Sequence, residues 1–181
     1  MTRLRDFRPF ALRDLALVAA AVALVVADAR LRNAGTTGAA AAAVGVAAGL
    51  FAALAGFLVH EWGHLLGAVA AGGTAHAPNR ISSAFLFYFD VCRSDRRAFL
   101  WMSYGGYLAS AVAVPAVVVA LPWESLSGKV ATVSAALGMA VTLALEVPTT
   151  VRVARGGALP RGGVFADEAG HPKARPVDAR P

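Results

Sequence analysis

The chain has 181 residues, of which 57% are hydrophobic and only 15% are charged. An ordinary soluble domain carries about 25% charged residues, and the apolar content here exceeds what one water-soluble core of this length buries. The composition excludes a disordered or fibrous chain, and the single cysteine excludes an internal disulfide. The net charge of +6 does not indicate a nucleic-acid partner, because the charges flank long apolar runs and do not cover one face. The composition indicates a protein whose partner is the lipid bilayer.

Four apolar stretches follow one another along the chain and predict an all-α membrane protein with about four transmembrane helices. Crossing the hydrocarbon core takes about 20 apolar residues in helical conformation. The third and fourth stretches fit this length, the second is overlong, and the first is short unless its neighbours join it. The stretches are 15–27, 38–71, 99–121 and 130–151.

The first stretch has two interpretations. Four arginines precede it, and it ends in Ala27-Asp28-Ala29, which is the layout of a signal peptide with a small-residue cleavage site. The same residues form a membrane anchor if the segment is retained. We favour the anchor, because a chain with three further spans can insert without a cleaved signal.

The distribution of basic residues predicts the orientation of the spans. If the connections alternate between the two sides of the membrane, one side carries 14 of the 17 Lys and Arg residues. Cytoplasmic segments are the ones enriched in Lys and Arg. We therefore expect a multi-pass protein of the cell (inner) membrane, with both termini and the 72–98 connection in the cytoplasm.

The spans define a transmembrane domain over residues 1–151, followed by a tail. The tail is rich in Gly, Pro, Arg and Ala and has no periodic apolar positions. Segments of this kind cannot bury enough apolar surface to fold. We predict that residues 152–181 form a flexible cytoplasmic tail.

The second stretch contains His60-Glu61-Trp62-Gly63-His64. Residues four apart on an α-helix lie about 40° apart around the axis, so His60 and His64 present their imidazoles to one point. Zn²⁺ takes such nitrogen ligands together with a third protein ligand and keeps a position open for water. Glu61 is placed to act as a general base on a zinc-bound water. Because ionisable groups inside a span are costly, the pattern predicts a zinc metalloendopeptidase of the HExxH type.

Five glycines of the same helix share one side. They are spaced four, seven, seven and four residues apart, so they fall within a stripe about 40° wide. Such a stripe lets another helix backbone approach closely. We assign these residues a packing role only: Gly45, Gly49, Gly56, Gly63 and Gly67.

The motif resembles the site-2 protease family, the intramembrane zinc metalloproteases, and in particular its small, minimal members. The similar features are His60-Glu61-x-x-His64 in an apolar helix and the small-residue segment 105–110 in the next span. The resemblance implies that the two histidines bind zinc and that Glu61 is the catalytic base. It also implies an active site towards the cytoplasmic side and a single-span membrane protein or peptide as substrate.

The third zinc ligand is where the sequence departs from the family. The family uses the Asp of a Leu-Asp-Gly motif on a later span, whereas this chain has Leu-Glu-Val-Pro there, with the carboxylate at Glu146. At 1.5 Å per residue, the depths of Glu146 and His64 differ by only about 3 Å, and Pro148 can bend the helix towards the site. We predict Glu146 as the third ligand. Asp90, His76 or no third protein ligand are the alternatives.

The connection between the second and third spans is rich in aromatic residues. Such density suits a short strand or a re-entrant segment at the membrane interface. In the resembled family a strand near the site holds the substrate extended, and adding a peptide to a sheet edge would unwind it. An interface anchor without a substrate role is an equal alternative. The aromatic residues are Phe85, Phe87, Tyr88 and Phe89.

Two functions from different classes follow from these features. The first is an intramembrane zinc metallopeptidase that hydrolyses peptide bonds of membrane-embedded substrates. The second is a non-catalytic scaffold or regulator that retains a metal site, a pseudoprotease that holds single-span partners. The missing Asp motif favours the second. We expect the first, because a general base such as Glu61 has no purpose in a purely structural site.

Overall fold

The computed structural model describes residues 2, 4–162 and 164–166. Within these residues, four helices are long and apolar enough to cross a membrane. They follow a 3-10 turn at Leu4–Phe7, and three short strands lie between or after them. The predicted all-α, four-span membrane protein is therefore confirmed. The helices are α1 Arg8–Asn33, α2 Ala39–Ala70, α3 Arg96–Ala120 and α4 Leu126–Ala154.

Two of the helices begin at a side-chain cap. Asp95 accepts a hydrogen bond from the backbone N–H of Ala98 (2.8 Å) at the start of α3. Ser125 does the same for Gly128 (2.9 Å) at the start of α4. These side chains satisfy backbone donors that the first helical turn leaves without partners. They explain why α3 and α4 begin three or four residues before the apolar stretches predicted from the sequence.

Helix α1 is longer than its apolar stretch and is held by two carboxylates within it. Asp28 is buried and accepts hydrogen bonds from the hydroxyl of Ser127 (2.7 Å) and from Arg32 (3.0 Å). Asp14 is buried and accepts from the indole N–H of Trp62 (2.9 Å). Residues 27–29, the position of the possible signal cleavage, thus lie inside helix α1.

Helix α2 is the centre of the bundle and packs against each of the other three helices. The glycines of its stripe face these helices at close range. A Cβ at Gly63 or Gly67 would overlap backbone atoms of α3, at Gly105 and Trp101 respectively. A Cβ at Gly49 would lie 2.6 Å from the carbonyl oxygen of Ser127 in α4. The predicted packing role of the stripe is confirmed at these three positions.

A small sheet covers one end of the bundle. Its order is β1-β2-β3, formed by Ala75–His76, Tyr88–Asp90 and Phe165–Ala166. Strands β1 and β2 are antiparallel, whereas β2 and β3 are parallel, with Phe89 paired to Phe165. The short strand expected between the second and third spans is therefore present as β2. A buried apolar cluster beneath the sheet includes Phe87 and Phe89, so these two aromatic residues belong to the core.

The segment 152–181, predicted as a flexible tail, contains regular secondary structure in its described part. Helix α4 continues to Ala154, and β3 adds a third strand to the sheet. Leu159 and Phe165 pack against the buried apolar cluster, and this burial offsets the entropy lost when the segment is ordered. The sequence does not predict this packing, because two apolar residues without periodicity are also typical of a loop. Residues 163 and 167–181 lie outside the described part of the chain.

The close approach of α2 and α3 leads to a stability prediction. Gly67→Ala places a methyl group against the backbone of α3 at Trp101, so we expect the free energy of unfolding to fall by about 1–3 kcal/mol. The matched control is Gly138→Ala in α4, where a Cβ meets nothing within 4 Å. There the free energy should stay constant or rise by up to about 1 kcal/mol. Unfolding in detergent measures both, and equal behaviour of the two variants would contradict the packing.

Candidate metal centre

Three side chains from two helices converge at one point in the bundle. His60 and His64 lie on α2, and their Nε2 atoms are 2.9 Å apart. Glu146 reaches them from α4, with Oε1 3.4 Å from Nε2 of His60 and Oε2 3.3 Å from Nε2 of His64. Among the residues that the structure describes, this is the one group of three ligand-type side chains whose donor atoms come within 4.8 Å of one another. The structure thus brings together the three residues predicted from the sequence.

The two imidazoles are oriented by carbonyl groups of α3. Nδ1 of His64 is 2.9 Å from the carbonyl oxygen of Met102. Nδ1 of His60 is 3.1 Å from the carbonyl oxygen of Gly106 and 2.8 Å from the hydroxyl of Ser110. A carbonyl oxygen only accepts, so each Nδ1 carries the proton and each neutral ring directs the lone pair of Nε2 to the shared point. This is the arrangement in which metal-binding histidines are held.

The convergence requires a positive charge at its centre. Two Nε2 lone pairs at 2.9 Å repel each other, and Oε2 of Glu146 is buried without a hydrogen-bond partner. An unpartnered charged atom in an apolar environment is costly. Tetrahedral zinc ligands about 2.0–2.1 Å from the ion lie about 3.3–3.4 Å from one another. The contacts of the two carboxylate oxygens, one with each imidazole, are in this range, whereas the two Nε2 atoms are closer to each other at 2.9 Å. Two imidazoles and a carboxylate therefore fit Zn²⁺, with a fourth position left for water or substrate.

Close backbone contact between α2 and α3 makes this orientation possible. A Cβ at Gly106 would overlap the ring of His64, so only glycine lets the α3 carbonyl lie so near. The next residue, Tyr107, shares a hydrogen bond between its hydroxyl and that of Thr150 on α4 (2.8 Å). Thr150 lies one helical turn after Glu146, on the same side of α4. This bond therefore links α3 to the part of α4 that supplies the carboxylate.

These supporting contacts were largely missed by reasoning from the sequence. Ser110 and Tyr107 fall in the small-residue segment 105–110, which the sequence identifies only as a similarity to a family. Met102 contributes a backbone carbonyl, and no residue type signals that contribution. Helix α4 continues without a break through Pro148, so Glu146 reaches the histidines from an uninterrupted helix.

Glu61 lies beside the cluster and lines a cavity with it. Its Oε2 accepts a hydrogen bond from the backbone N–H of Leu86 (3.2 Å), in the segment just before β2. In the described part of the chain, its other carboxylate oxygen has no hydrogen-bond partner. The cavity has a volume of about 230 Å³ and also contains His64 and Glu146. Five aromatic side chains also line it: Phe85, Phe87, Phe89, Phe99 and Phe165.

The two alternative ligands lie elsewhere and bind each other. Nε2 of His76 is 2.9 Å from Oδ2 of Asp90. Oδ1 of Asp90 accepts from the backbone N–H groups of Cys92 and Arg93, both at 3.0 Å. Asp90 is fully buried in β2, where it holds the turn that leads into α3. The structure places Glu146, and neither of these residues, next to the two histidines.

No family model matches this chain, and neither the curated proteins nor the solved structures contain a match to it. The similarity to site-2 proteases therefore stays a prediction that rests on the motif residues. The fold and the site by themselves define a multi-pass membrane protein in which two histidines of α2 meet a partly exposed glutamate of α4.

The hydrogen bonds of Asp90 lead to a second stability prediction. Asp90→Ala leaves His76 and two backbone N–H groups without their acceptor, so the free energy of unfolding should fall by about 3 kcal/mol. Glu124→Ala removes a carboxylate from an exposed position in the α3–α4 connection. This control variant should have the same free energy of unfolding as the unmodified protein. Chemical unfolding in detergent compares the two. A stability of Asp90→Ala equal to that of the unmodified protein would show that this carboxylate does not hold the turn.

Proposed function

We propose that the protein is an intramembrane zinc metallopeptidase that hydrolyses peptide bonds of membrane-embedded substrates. One observation carries the proposal: His60, His64 and Glu146 converge with both imidazole protons directed away from the shared point. Glu61 lies beside them in the same cavity. These three side chains would hold Zn²⁺, which would supply a Lewis acid for the scissile carbonyl and lower the pKa of a water molecule.

Glu61 is the residue that moves the proton. Its Oε2 is held by the N–H of Leu86, which leaves the other oxygen for the attacking water. Glu61 takes a proton as the water oxygen bonds to the carbonyl carbon. It then gives that proton to the amine nitrogen as the C–N bond breaks. This role agrees with the one that the resemblance to site-2 proteases implies for the glutamate of His-Glu-x-x-His.

The position of the site favours cleavage near one membrane surface. His64 is six residues from Ala70, the last residue of α2, which corresponds to about 9 Å of helix. The sheet lies beyond this same end of the bundle. A transmembrane helix must unwind before it is cut, and pairing with a strand would hold it extended. The aromatic wall of the cavity suits apolar side chains, as a segment leaving the bilayer carries them.

The orientation of the bundle follows from its charges. Thr2 donates a hydrogen bond to the carbonyl of Gly73, and β3 pairs with β2. The N-terminal segment, the α2–α3 connection and the described part of the tail therefore lie on one side. In the alternating arrangement this side carries 14 of the 17 basic residues. We assign it to the cytoplasm by the positive-inside rule, and the protein to the cell (inner) membrane.

A scaffold that retains the metal site is the second candidate function. It is favoured by the third ligand, which is Glu146 where the resembled family has an Asp. The hydrogen bonds that orient His60 and His64 would serve a structural site equally well. The two candidate functions differ in the role of Glu61, because only a peptidase needs its carboxylate as a general base.

Zinc content tests the ligand set. Protein purified in detergent without chelators should contain about one zinc per chain. His64→Ala and Glu146→Ala should each weaken binding by at least about tenfold, because each removes a ligand. His76→Ala is the control, since this imidazole lies outside the cluster, and it should keep the metal. Elemental analysis measures the content, and unfolding curves establish that each variant is folded.

Two zinc results would contradict the assignment. Metal retained in Glu146→Ala and lost in His76→Ala would place the third ligand in the α2–α3 connection. A folded protein that binds no added zinc would exclude the metallopeptidase.

Replacing the base tests catalysis. Glu61→Gln keeps the size of the side chain and removes its basicity, so cleavage of single-span model polypeptides in proteoliposomes should fall by about 10²–10⁴-fold. The zinc content should not change. Glu124→Gln, in the exposed α3–α4 connection, should keep full activity. Undiminished cleavage by Glu61→Gln would refute the mechanism. Full complementation of a deletion phenotype by the same variant would favour the scaffold.

A further inference from the structure

Strand β2 has a neighbour on each edge, and one of them is the chain's own tail. β1 pairs with one edge, and residues 164–166 lie along the other. The backbone N–H of Phe89 donates to the carbonyl of Val164 at 3.0 Å. A peptide that paired with β2 on this edge would need the same N–H group. The tail and such a peptide therefore cannot pair there at the same time.

The tail also fills space beside the metal centre. Val164 and Phe165 line the cavity that contains Glu61, His64 and Glu146. The ring of Phe165 packs against that of Phe99, with 5.9 Å between the centroids. The segment thus presents an extended backbone, a β-branched side chain and an aromatic side chain to the site. These are features of a peptide bound in an active-site cleft.

The attachment of this segment is suited to release. β3 has only two residues, and short strands at a sheet edge open at low free energy. The link from α4 contains Gly156 and Gly162, which both have positive φ angles (101° and 84°). Glycine adopts this left-handed backbone without the strain that a side chain brings. The link can therefore change direction without disturbing α4.

We propose that residues 164–166 occupy the substrate-binding edge of β2, so that the tail and the substrate compete for it. The tail must leave before a substrate segment can pair with β2. The substrate class follows from what the tail presents: an extended apolar segment with neighbouring β-branched and aromatic side chains. The catalytic part of this inference rests on the proposed peptidase function, whereas the placement of the tail does not.

Accessibility of the cavity tests the placement without any cleavage. In full-length protein carrying Cys92→Ser, the substitution Ser103→Cys puts a thiol in the cavity wall. Ser103 is 3% exposed, and its hydroxyl donates a hydrogen bond to the carbonyl of Phe99 in its own helix. A water-soluble maleimide should label this thiol slowly. Adding Phe165→Asp should accelerate labelling by about tenfold or more, because a charge in the aromatic wall displaces the tail.

Matched controls separate displacement of the tail from a general loss of structure. Ala158→Asp adds the same charge at an exposed position of the tail and should leave the labelling rate unchanged. Phe165→Ala is a milder variant that should give an intermediate rate. A synthetic peptide with the sequence of residues 160–166 should slow labelling of the Phe165→Asp protein. The same peptide carrying Phe165→Asp should not.

Cleavage by the same variants distinguishes the two proposals. We expect Phe165→Asp to cleave single-span model polypeptides several-fold faster than the unmodified protein. Faster labelling without cleavage in any variant would support the placement of the tail and count against the peptidase. Faster labelling with slower cleavage would make the tail a part of the substrate platform and overturn the competition. Labelling rates unaffected by both Phe165 variants would overturn the inference, whatever the activity.

Discussion

The site depends on the close contact between the backbones of α2 and α3. Glycines at 63, 67, 105 and 106 remove the side chains that would separate the two helices. The carbonyl groups of Met102 and Gly106 can then accept hydrogen bonds from the two imidazoles. Because these bonds determine the tautomer of each ring, the glycine contact also determines where the lone pairs point. The glycine contact between α2 and α3 therefore determines both the packing of the two helices and the orientation of the two histidines.

The apolar surroundings explain why the cluster needs a cation. In water, two neutral imidazoles and a carboxylate are each solvated and need no common partner. Within the bundle, Oε2 of Glu146 has no hydrogen-bond partner, and the two Nε2 atoms face each other. A metal ion bound there would satisfy all three groups at once and would gain from the low dielectric constant of its surroundings. In the proposed site, such an ion would offset the cost of placing these groups in a span.

The sheet connects α2 to the N-terminal segment and to the described part of the tail. Glu61 is bound by the N–H of Leu86 just before β2, and β2 is paired with the tail. On the other side of α2, Trp62 is bound to Asp14 of α1. Arg13, next to Asp14, donates to the carbonyls of Ile81 and Ser83 in the α2–α3 connection. Hydrogen bonds therefore join this connection to Glu61, to the tail and to the first helix.

The sequence by itself determined the four spans, the pair of histidines with its neighbouring glutamate, and the glycine stripe. Each of these depends on short-range regularity: the length of an apolar run, or the 3.6-residue period that places residues 60 and 64 on one side of a helix. Depth in the membrane, another one-dimensional quantity, was enough to favour Glu146 over its alternatives. The boundaries were less certain, because the capping residues Asp95 and Ser125 lie outside the apolar stretches.

Only the tertiary structure decided how distant segments meet. Glu146 is 82 residues from His64, and no local pattern shows that α4 brings its carboxylate to α2 while Asp90 and His76 bind each other. The acceptors for the imidazoles are backbone carbonyls, which every residue type possesses. The tail has too few apolar residues for a periodic signal, so its strand exists only because β2 offers an edge and the cavity accepts Phe165. Contacts of this kind arise from the packing of the whole chain, and they leave no signature in any one of its segments.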